Sequence, residues 1–238
     1  MFKATTSQIF KPLYRGEIDW KHPLSKNLQA CWLFNEGHGN STFDLVKNAT
    51  LRFNGLASYS GGKNGSAIEF DGTTSFLQSE QNSFINFWPA LTIETWLWAS
   101  TEQPSQYNRV FEKGGNNEVT VVLNYTLNND AISIQNLGDT AELFASTTRI
   151  ADYKWHHVVV TIAINGTNNV KLYIDGRLDN QGTSNQPGTK NGLISLGKDN
   201  VGEDRYLKGK ELFLRLWHRA LTPAEIYWLY RDPYAMIY

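Results

Sequence analysis

From Ala30 onward the apolar residues recur with a period of two, and Gly, Asn, Asp and Ser interrupt the pattern every few positions. Successive side chains of a strand point to opposite faces, so this is the signature of many short antiparallel strands. In residues 92–99, Ile93, Thr95 and Leu97 alternate with Glu94, Trp96 and Trp98. Both faces carry bulk, which predicts a strand inside the sheet system. Residues 158–164 place Val158, Val160, Ile162 and Ile164 on one face and His157, Val159, Thr161 and Ala163 flank them on the other, as in a central strand. Residues 170–174, then Asp175-Gly176, then residues 177–180 spell a hairpin, because Asp-Gly accepts the positive φ values of a two-residue type I′ turn. With a further turn at Asn165-Gly166, residues 155–179 read as a three-stranded meander.

A last long strand over residues 211–217 alternates Leu212, Leu214 and Leu216 against Glu211, Phe213, Arg215 and Trp217. A helix is predicted at 223–231. Thr222 caps it, Pro223 suits its first position, Glu225 completes a Thr-x-x-Glu capping box, and Leu221 can staple onto Ile226. Ile226, Leu229 and Tyr230 give it a docking stripe, and Pro233 ends it. The first 27 residues differ: apolar positions are scattered, basic residues are interspersed, and Pro12 and Pro23 block ladder bonding. The expected organisation is an extended arm (1–27), a sandwich of about a dozen strands (28–232) that folds without the arm, and a tail (233–238). Val158, Val160, Ile162, Leu172 and Leu214 are expected to face inward.

At 238 residues, 41% of them hydrophobic and 13% aromatic, the chain can bury the core of one all-β domain. Cys31 is the single cysteine, which rules out an intrachain disulfide. Lys and Arg number 22 against 23 for Asp and Glu, so no basic field gathers nucleic acid. The N-terminal segment has no apolar run of signal-peptide type, and no stretch is long and apolar enough to predict a membrane span.

Catalytic chemistry finds little support. Glu94 has Thr92 and Trp96 as its same-face neighbours, so it lacks the second carboxylate of a glycosidase pair. His156 and His157 are adjacent, point to opposite faces and cannot share a metal; one is expected to pack and the other to be solvated. Gly61-Gly62-Lys63-Asn64-Gly65 lacks the strand-to-helix setting of a phosphate loop and reads as a flexible turn. Trp88, Trp96, Trp98, Trp217, Tyr107 and Tyr125 serve equally well as core or as a sugar platform, with core filling the default.

Six segments in order resemble the laminin-G-like/concanavalin-A-like jelly-roll superfamily: Trp32-Leu33-Phe34-Asn35-Glu36-Gly37 with Asp44, Phe70-Asp71-Gly72, residues 91–96, residues 155–158, residues 172–176 and residues 216–226. The resemblance implies an all-β, two-sheet antiparallel jelly-roll sandwich, and its relatives include lectins, adhesins and purely structural domains. It also allows a structural calcium as the one candidate cofactor, with Glu36, Asp44 and Asp71 as the ligand candidates, but Leu212 stands where an acidic ligand is common, and these acids are read first as turn caps that accept from backbone amides. The flanks, residues 20–24 and 231–234, are similar to those of tailed-phage virion proteins. The expectation is therefore a non-enzymatic virion structural protein, a decoration or other surface component located on the phage particle, with other virion proteins and further copies of itself as partners. Its docking residues would be Phe2, Ile9, Phe10, Leu13 and Tyr14 at one end and Tyr234, Met236, Ile237 and Tyr238 at the other, apolar groups that a solvated monomer would not expose. The alternative is a lectin or adhesin module with a glycan partner.

Overall fold

A computed structural model describes residues 11–12, 16–80, 90–114, 119–125, 130–135, 142–163, 166–184, 192–200 and 204–238. A 3-10 turn at Pro23–Ser25 precedes β1 (Leu28–Trp32), β2 (Ser41–Phe43), β3 (Thr50–Asn54), β4 (Ser58–Gly62), β5 (Gly65–Asp71), β6 (Phe76–Ser79), β7 (Leu91–Ala99) and β8 (Asn108–Lys113). The chain continues through β9 (Val119–Leu123), β10 (Ala131–Gln135), β11 (Glu142–Arg149), β12 (Trp155–Ile162), β13 (Val170–Ile174), β14 (Arg177–Gly182), β15 (Ile194–Leu196), β16 (Lys208–Trp217) and helix α1 (Pro223–Arg231).

These strands make a two-sheet antiparallel sandwich. One sheet has the order β14-β13-β12-β7-β16-β5-β4 with β1 also on β16, and the other runs β11-β10-β9-β8-β15-β6-β3-β2. The described strands outnumber the expected dozen because three-residue pieces such as β2 and β15 are too short to show a period. The expected inward set holds: Val158, Val160, Ile162, Leu172 and Leu214 meet Val110, Phe111, Val121, Ile132 and Leu196 of the facing sheet. Asp175 (φ 50°) and Gly176 (φ 77°) form the hairpin turn between β13 and β14. Helix α1 carries the complete Thr222–Glu225 capping box.

The outer face of the first sheet is also buried. Trp96, Val159, Tyr173, Phe213 and Trp217 pack there against Ile226 and Leu229 of α1. Ile18 and Leu24 join the same cluster, and Trp217 Nε1 donates to Leu24 O at 2.7 Å. Residues 16–27 are thus part of the domain's packing, which corrects the expectation of a dispensable arm. The tail packs likewise: Met236 is fully buried, Tyr234 is 7% exposed, and Ile18 bridges Ile237.

A second correction concerns β16. Its lower half pairs with β5 (Glu211↔Ile68) and its upper half with β1 (Trp32↔Leu214), so two strands meet end to end along one side of it. The ladder with β7 shifts register between Glu211 and Leu214. This bulge turns Leu212 onto the outer face together with Phe213, away from Leu214 and Leu216. Carbonyls at such a junction lose ladder partners, and Lys11 supplies them. Its buried Nζ donates to Leu212 O at 2.6 Å, Ser66 O at 2.6 Å and Phe34 O at 3.1 Å. Burial pulls the pKa of this ammonium down to about 7. Cys31 on β1 is fully enclosed, and desolvation pushes its thiol up to about 12.

Glu211 faces the inter-sheet core beside Leu97, where Thr95 Oγ1 contacts its Oε2 at 3.1 Å. Desolvation raises its pKa from 4.5 to about 8. The folded state therefore holds a proton that the unfolded chain releases near pH 4.5. Its contribution is full below that pH and is lost as pH rises through about 8. Two outcomes follow. Glu211→Gln should gain in melting temperature over the wild type progressively from pH 5 to pH 8, and a constant offset would remove the protonated carboxyl from the core. Lys11→Met should cost about 2 kcal/mol in denaturant unfolding, since Leu212 O and Ser66 O lose this donor and Phe34 O keeps only the Ser66 hydroxyl; a change below about 0.5 kcal/mol would show that they find other partners.

Candidate functional site

Beyond the cover that buries Trp96, the same outer face of β7 presents Trp98, half-buried and cross-paired with Lys210 of β16. The turn before β12 brings Tyr153 beside it, with ring centroids 5.6 Å apart and planes at 56°. Tyr153 is held at φ 62°, a left-handed conformation that costs a bulky residue energy and needs fixing from outside. Its N–H donates to Ala99 O at 3.1 Å, its carbonyl accepts from Trp98 Nε1 at 2.8 Å, and its hydroxyl accepts from Thr101 Oγ1 at 2.9 Å. Hydroxyl bonds from Ser100 and Thr101 lower the phenol's pKa. The result is a preorganised aromatic pair with Tyr153 still 47% exposed.

This pair forms one wall of an open groove of about 250 Å3, completed by Glu69, Asp71, Ser100, Glu102 and Lys208. Lys208 Nζ lies 3.0 Å from Glu102, and Lys210 Nζ lies 3.1 Å from Glu69. The groove therefore offers carboxylates and ammonium groups in pairs on a largely neutral floor. Its volume falls below the roughly 300–1,000 Å3 of sites for drug-sized ligands, so it suits one small ring.

The three calcium candidates do not converge. Asp71 lies in this groove, while Glu36 and Asp44 line a separate depression. Asp71 Oδ1 accepts from the backbone N–H groups of Thr73, Thr74 and Ser75, each at 2.9 Å, and its Oδ2 accepts both threonine hydroxyls. Against the pull of burial, these bonds hold its carboxyl well below the usual range. Asp44 accepts from Cys31, Val46 and Lys47 N–H, and Glu36 from Thr42, Phe43 N–H and Tyr59. Burial nonetheless raises the Asp44 pKa. Oxygens already saturated by donors do not fit a Ca2+ shell, which needs six to eight free oxygen ligands. They fix turns instead, and no group of three metal-ligating side chains occurs among the described residues.

Neither histidine is solvated, contrary to expectation. His157 is fully buried, its Nε2 2.9 Å from Glu94 Oε1. His156 is 9% exposed and sits between Asp175 (2.9 Å) and Asp152 (3.2 Å); its bond to Asp175 raises its pKa. Trp96 and Trp217 are core residues, Tyr107 and Tyr125 pack edge to face, and Trp88 lies outside the described residues. So do the proposed docking residues Phe2, Ile9, Phe10, Leu13 and Tyr14. Of the tail set, Tyr234 and Met236 are spent inside the chain, Ile237 is half-buried, and Tyr238 remains 71% exposed. The groove itself was not legible beforehand: Tyr153 gave no sequence signal, and Trp98 was one aromatic among many.

The sequence profile described as concanavalin A-like lectin/glucanases superfamily matches residues 71–227. The chain belongs to that superfamily. No curated protein sequence matches this superfamily member, but solved structures share its fold. The binding domain of Paraclostridial Mosquitocidal Protein 1 aligns with a TM-score of 0.71 at 16% identity, covering 89% of this chain and 53% of that one. The binding domain of botulinum neurotoxin DC in complex with rat synaptotagmin II gives 0.66 at 14% identity, covering 87% and 52%. The chain thus spans about half the length of these toxin domains. Domain 4 of AbnA, a GH43 extracellular arabinanase from Geobacillus stearothermophilus, in complex with arabinotriose, gives 0.66 at 21% identity, covering 85% of this chain and 98% of that one.

The carboxylate geometry has a direct test. Adding calcium or EDTA should leave the melting temperature unchanged, whereas Asp44→Ala, which strands the buried Cys31 N–H and takes the acceptor from the Val46 and Lys47 N–H groups, should lower it by several degrees. A calcium-dependent rise that Asp44→Ala abolishes would restore the ion.

Proposed function

We propose that the chain is a non-catalytic glycan-binding module and that the Trp98–Tyr153 groove is its sugar site. The exposed, rigidly held aromatic pair carries the reading. An indole and a phenol ring offer flat apolar faces to the C–H surface of a sugar, while the paired carboxylates and ammonium groups around them accept from and donate to its hydroxyls. The full-length overlap with the arabinotriose-bound arabinanase domain supports the same class of ligand. Hydrolysis is disfavoured by the chemistry of the groove. A general acid needs a raised pKa, and Asp71 has a lowered one. Glu69 and Glu102 are each neutralised by a lysine. Glu112 on the second sheet does have a raised pKa, through desolvation, but it is 1% exposed and paired with Arg109 at 2.8 Å.

A second reading, attachment to a phage particle, is supported by the paired terminal segments. Glu17 N–H donates to Tyr238 O at 2.8 Å, and this ribbon presents Trp20 (59% exposed) and Tyr238 (71% exposed) outward. In it the module displays its groove while these aromatics dock on a virion protein.

Calorimetric titration against neutral oligosaccharides checks the first reading. Binding is expected in the wild type, weakened at least roughly tenfold in Trp98→Ala and in Tyr153→Ala, with the melting temperature of Tyr153→Ala close to the wild type. Sugar binding that survives both substitutions would move the site elsewhere. Trp20→Ser with Tyr238→Ser should abolish attachment to particles; normal occupancy would end the second reading.

A further inference from the structure

The glycine-rich segment Gly61-Gly62-Lys63-Asn64-Gly65 is the tip of the β4–β5 hairpin, and it carries Lys63 to the far end of the sheet's outer face. There the Lys63 ammonium lies 3.7 Å over the ring of Trp96. Tyr230 of α1 stands nearly parallel to that indole, with centroids 5.8 Å apart and planes at 14°. Together with Leu212, Arg231 and Tyr234 these residues enclose a cavity of about 200 Å3, separate from the Trp98–Tyr153 groove.

Four polar groups of this cavity have no hydrogen-bond partner among the described residues. Trp96 Nε1 and Tyr234 Oη are buried and have no hydrogen-bond partner among the described residues, although their side chains are only 2% and 7% exposed. Buried donors of this kind are costly unless something satisfies them. The Lys63 and Arg231 side chains both border the cavity, and neither has a hydrogen bond or ion pair among the described residues; the nearest opposing influence on Lys63 is the field of Asp175. Burial lowers the Lys63 pKa, against that field. Two cations without an ion pair, two orphan donors and an aromatic wall make an environment in which donors outnumber acceptors, Asn64 adding one amide. Neutral polyols need both kinds of partner, whereas an anionic group needs donors alone.

We propose that this cavity is a second ligand site, one that takes the anionic oxygens, carboxylate or sulfate, of an acidic sugar. Lys63 leaves the indole face to reach them, exchanging a cation–π contact for a stronger charge-assisted hydrogen bond. Arg231 adds a forked donor from the end of α1. The sugar ring lies along Tyr230 and the edge of the indole that Lys63 uncovers as it moves. This site is independent of the groove that binds neutral sugar.

The test is a nitrogen–proton NMR titration of the whole chain that follows the Trp96 indole N–H, assigned from its disappearance in Trp96→Phe. Methyl glucuronide supplies the carboxylate, glucose 6-sulfate the sulfate ester, methyl glucoside the neutral control, and inorganic sulfate the bare ion. At least one of the two acidic sugars should shift the Trp96 signal saturably, and methyl glucoside should not. Lys63→Ala and Arg231→Ala should each weaken that binding roughly tenfold, with Lys63→Arg retaining it. Tyr153→Ala should leave it intact, which separates this site from the groove. The proposal is overturned if neither acidic sugar shifts the signal, if methyl glucoside shifts it equally, if inorganic sulfate binds as tightly as the sugars, or if Lys63→Ala binds like the wild type.

Discussion

Arg215 sits on β16 with no exposure, and its guanidinium ties three parts of the molecule together. Nη2 donates to Glu94 Oε1 on β7 at 2.7 Å, and Nη1 donates to Pro233 O in the tail at 2.7 Å. Its plane also rests 4.0 Å from the Phe213 ring. Glu94 in turn meets His157 of β12, so the three central strands are linked on their outer face by buried polar groups. A sheet whose two faces are both buried must satisfy such groups internally, and losing one partner of a buried pair costs about 3–5 kcal/mol. The contact therefore sets the position of the tail, and through the tail that of Tyr234 and the wall of the Lys63 cavity. It also explains why Glu94, on a strand where a glycosidase could hold its acid, is structural.

The same economy governs β16 where β1 and β5 abut. A strand flanked by two successive partners has a gap in its ladder, and the Lys11 ammonium matches its three donors to the three carbonyls around that gap. The N-terminal segment is drawn onto the sheet by this polar requirement as much as by the burial of Ile18 and Leu24. Residues 16–27 and the C-terminal tail then lie over one face, and the other end of that face is left to Trp98 and its groove.

How much of this could be read from the chain depended on whether the signal was local. The β12–β14 meander, the Asp175-Gly176 turn and the capped helix rest on neighbours within a few residues, and each appears where the pattern put it. The inward set from Val158 to Leu172 follows for the same reason. Leu212 failed because a bulge breaks the period of two without leaving a mark in composition. The solvated histidine failed because alternation tells which face a side chain takes, not whether a distant segment covers that face, and the role of Lys11 left no sequence signal for the same reason. Glu36, Asp44 and Asp71 could be read as turn caps or as ligands, since both uses take the same residue type; the donors around them decide for the caps. Tyr153 was invisible because its role comes from a left-handed backbone angle imposed by tertiary contacts.

The enclosure of Cys31 has a consequence for how the protein's motions can be watched. Its thiol is sealed in the outer-face cluster beneath residues 16–27, the tail and α1, with its pKa pushed to about 12, so at neutral pH almost no thiolate is present and no reagent reaches the sulfur while that cover is closed. Because the chain has a single cysteine, each labelling event counts one excursion in which the cover lifts from the outer face of β1. A chemical clock thus lies under the covered face of the first sheet, and its rate measures how often that cover opens.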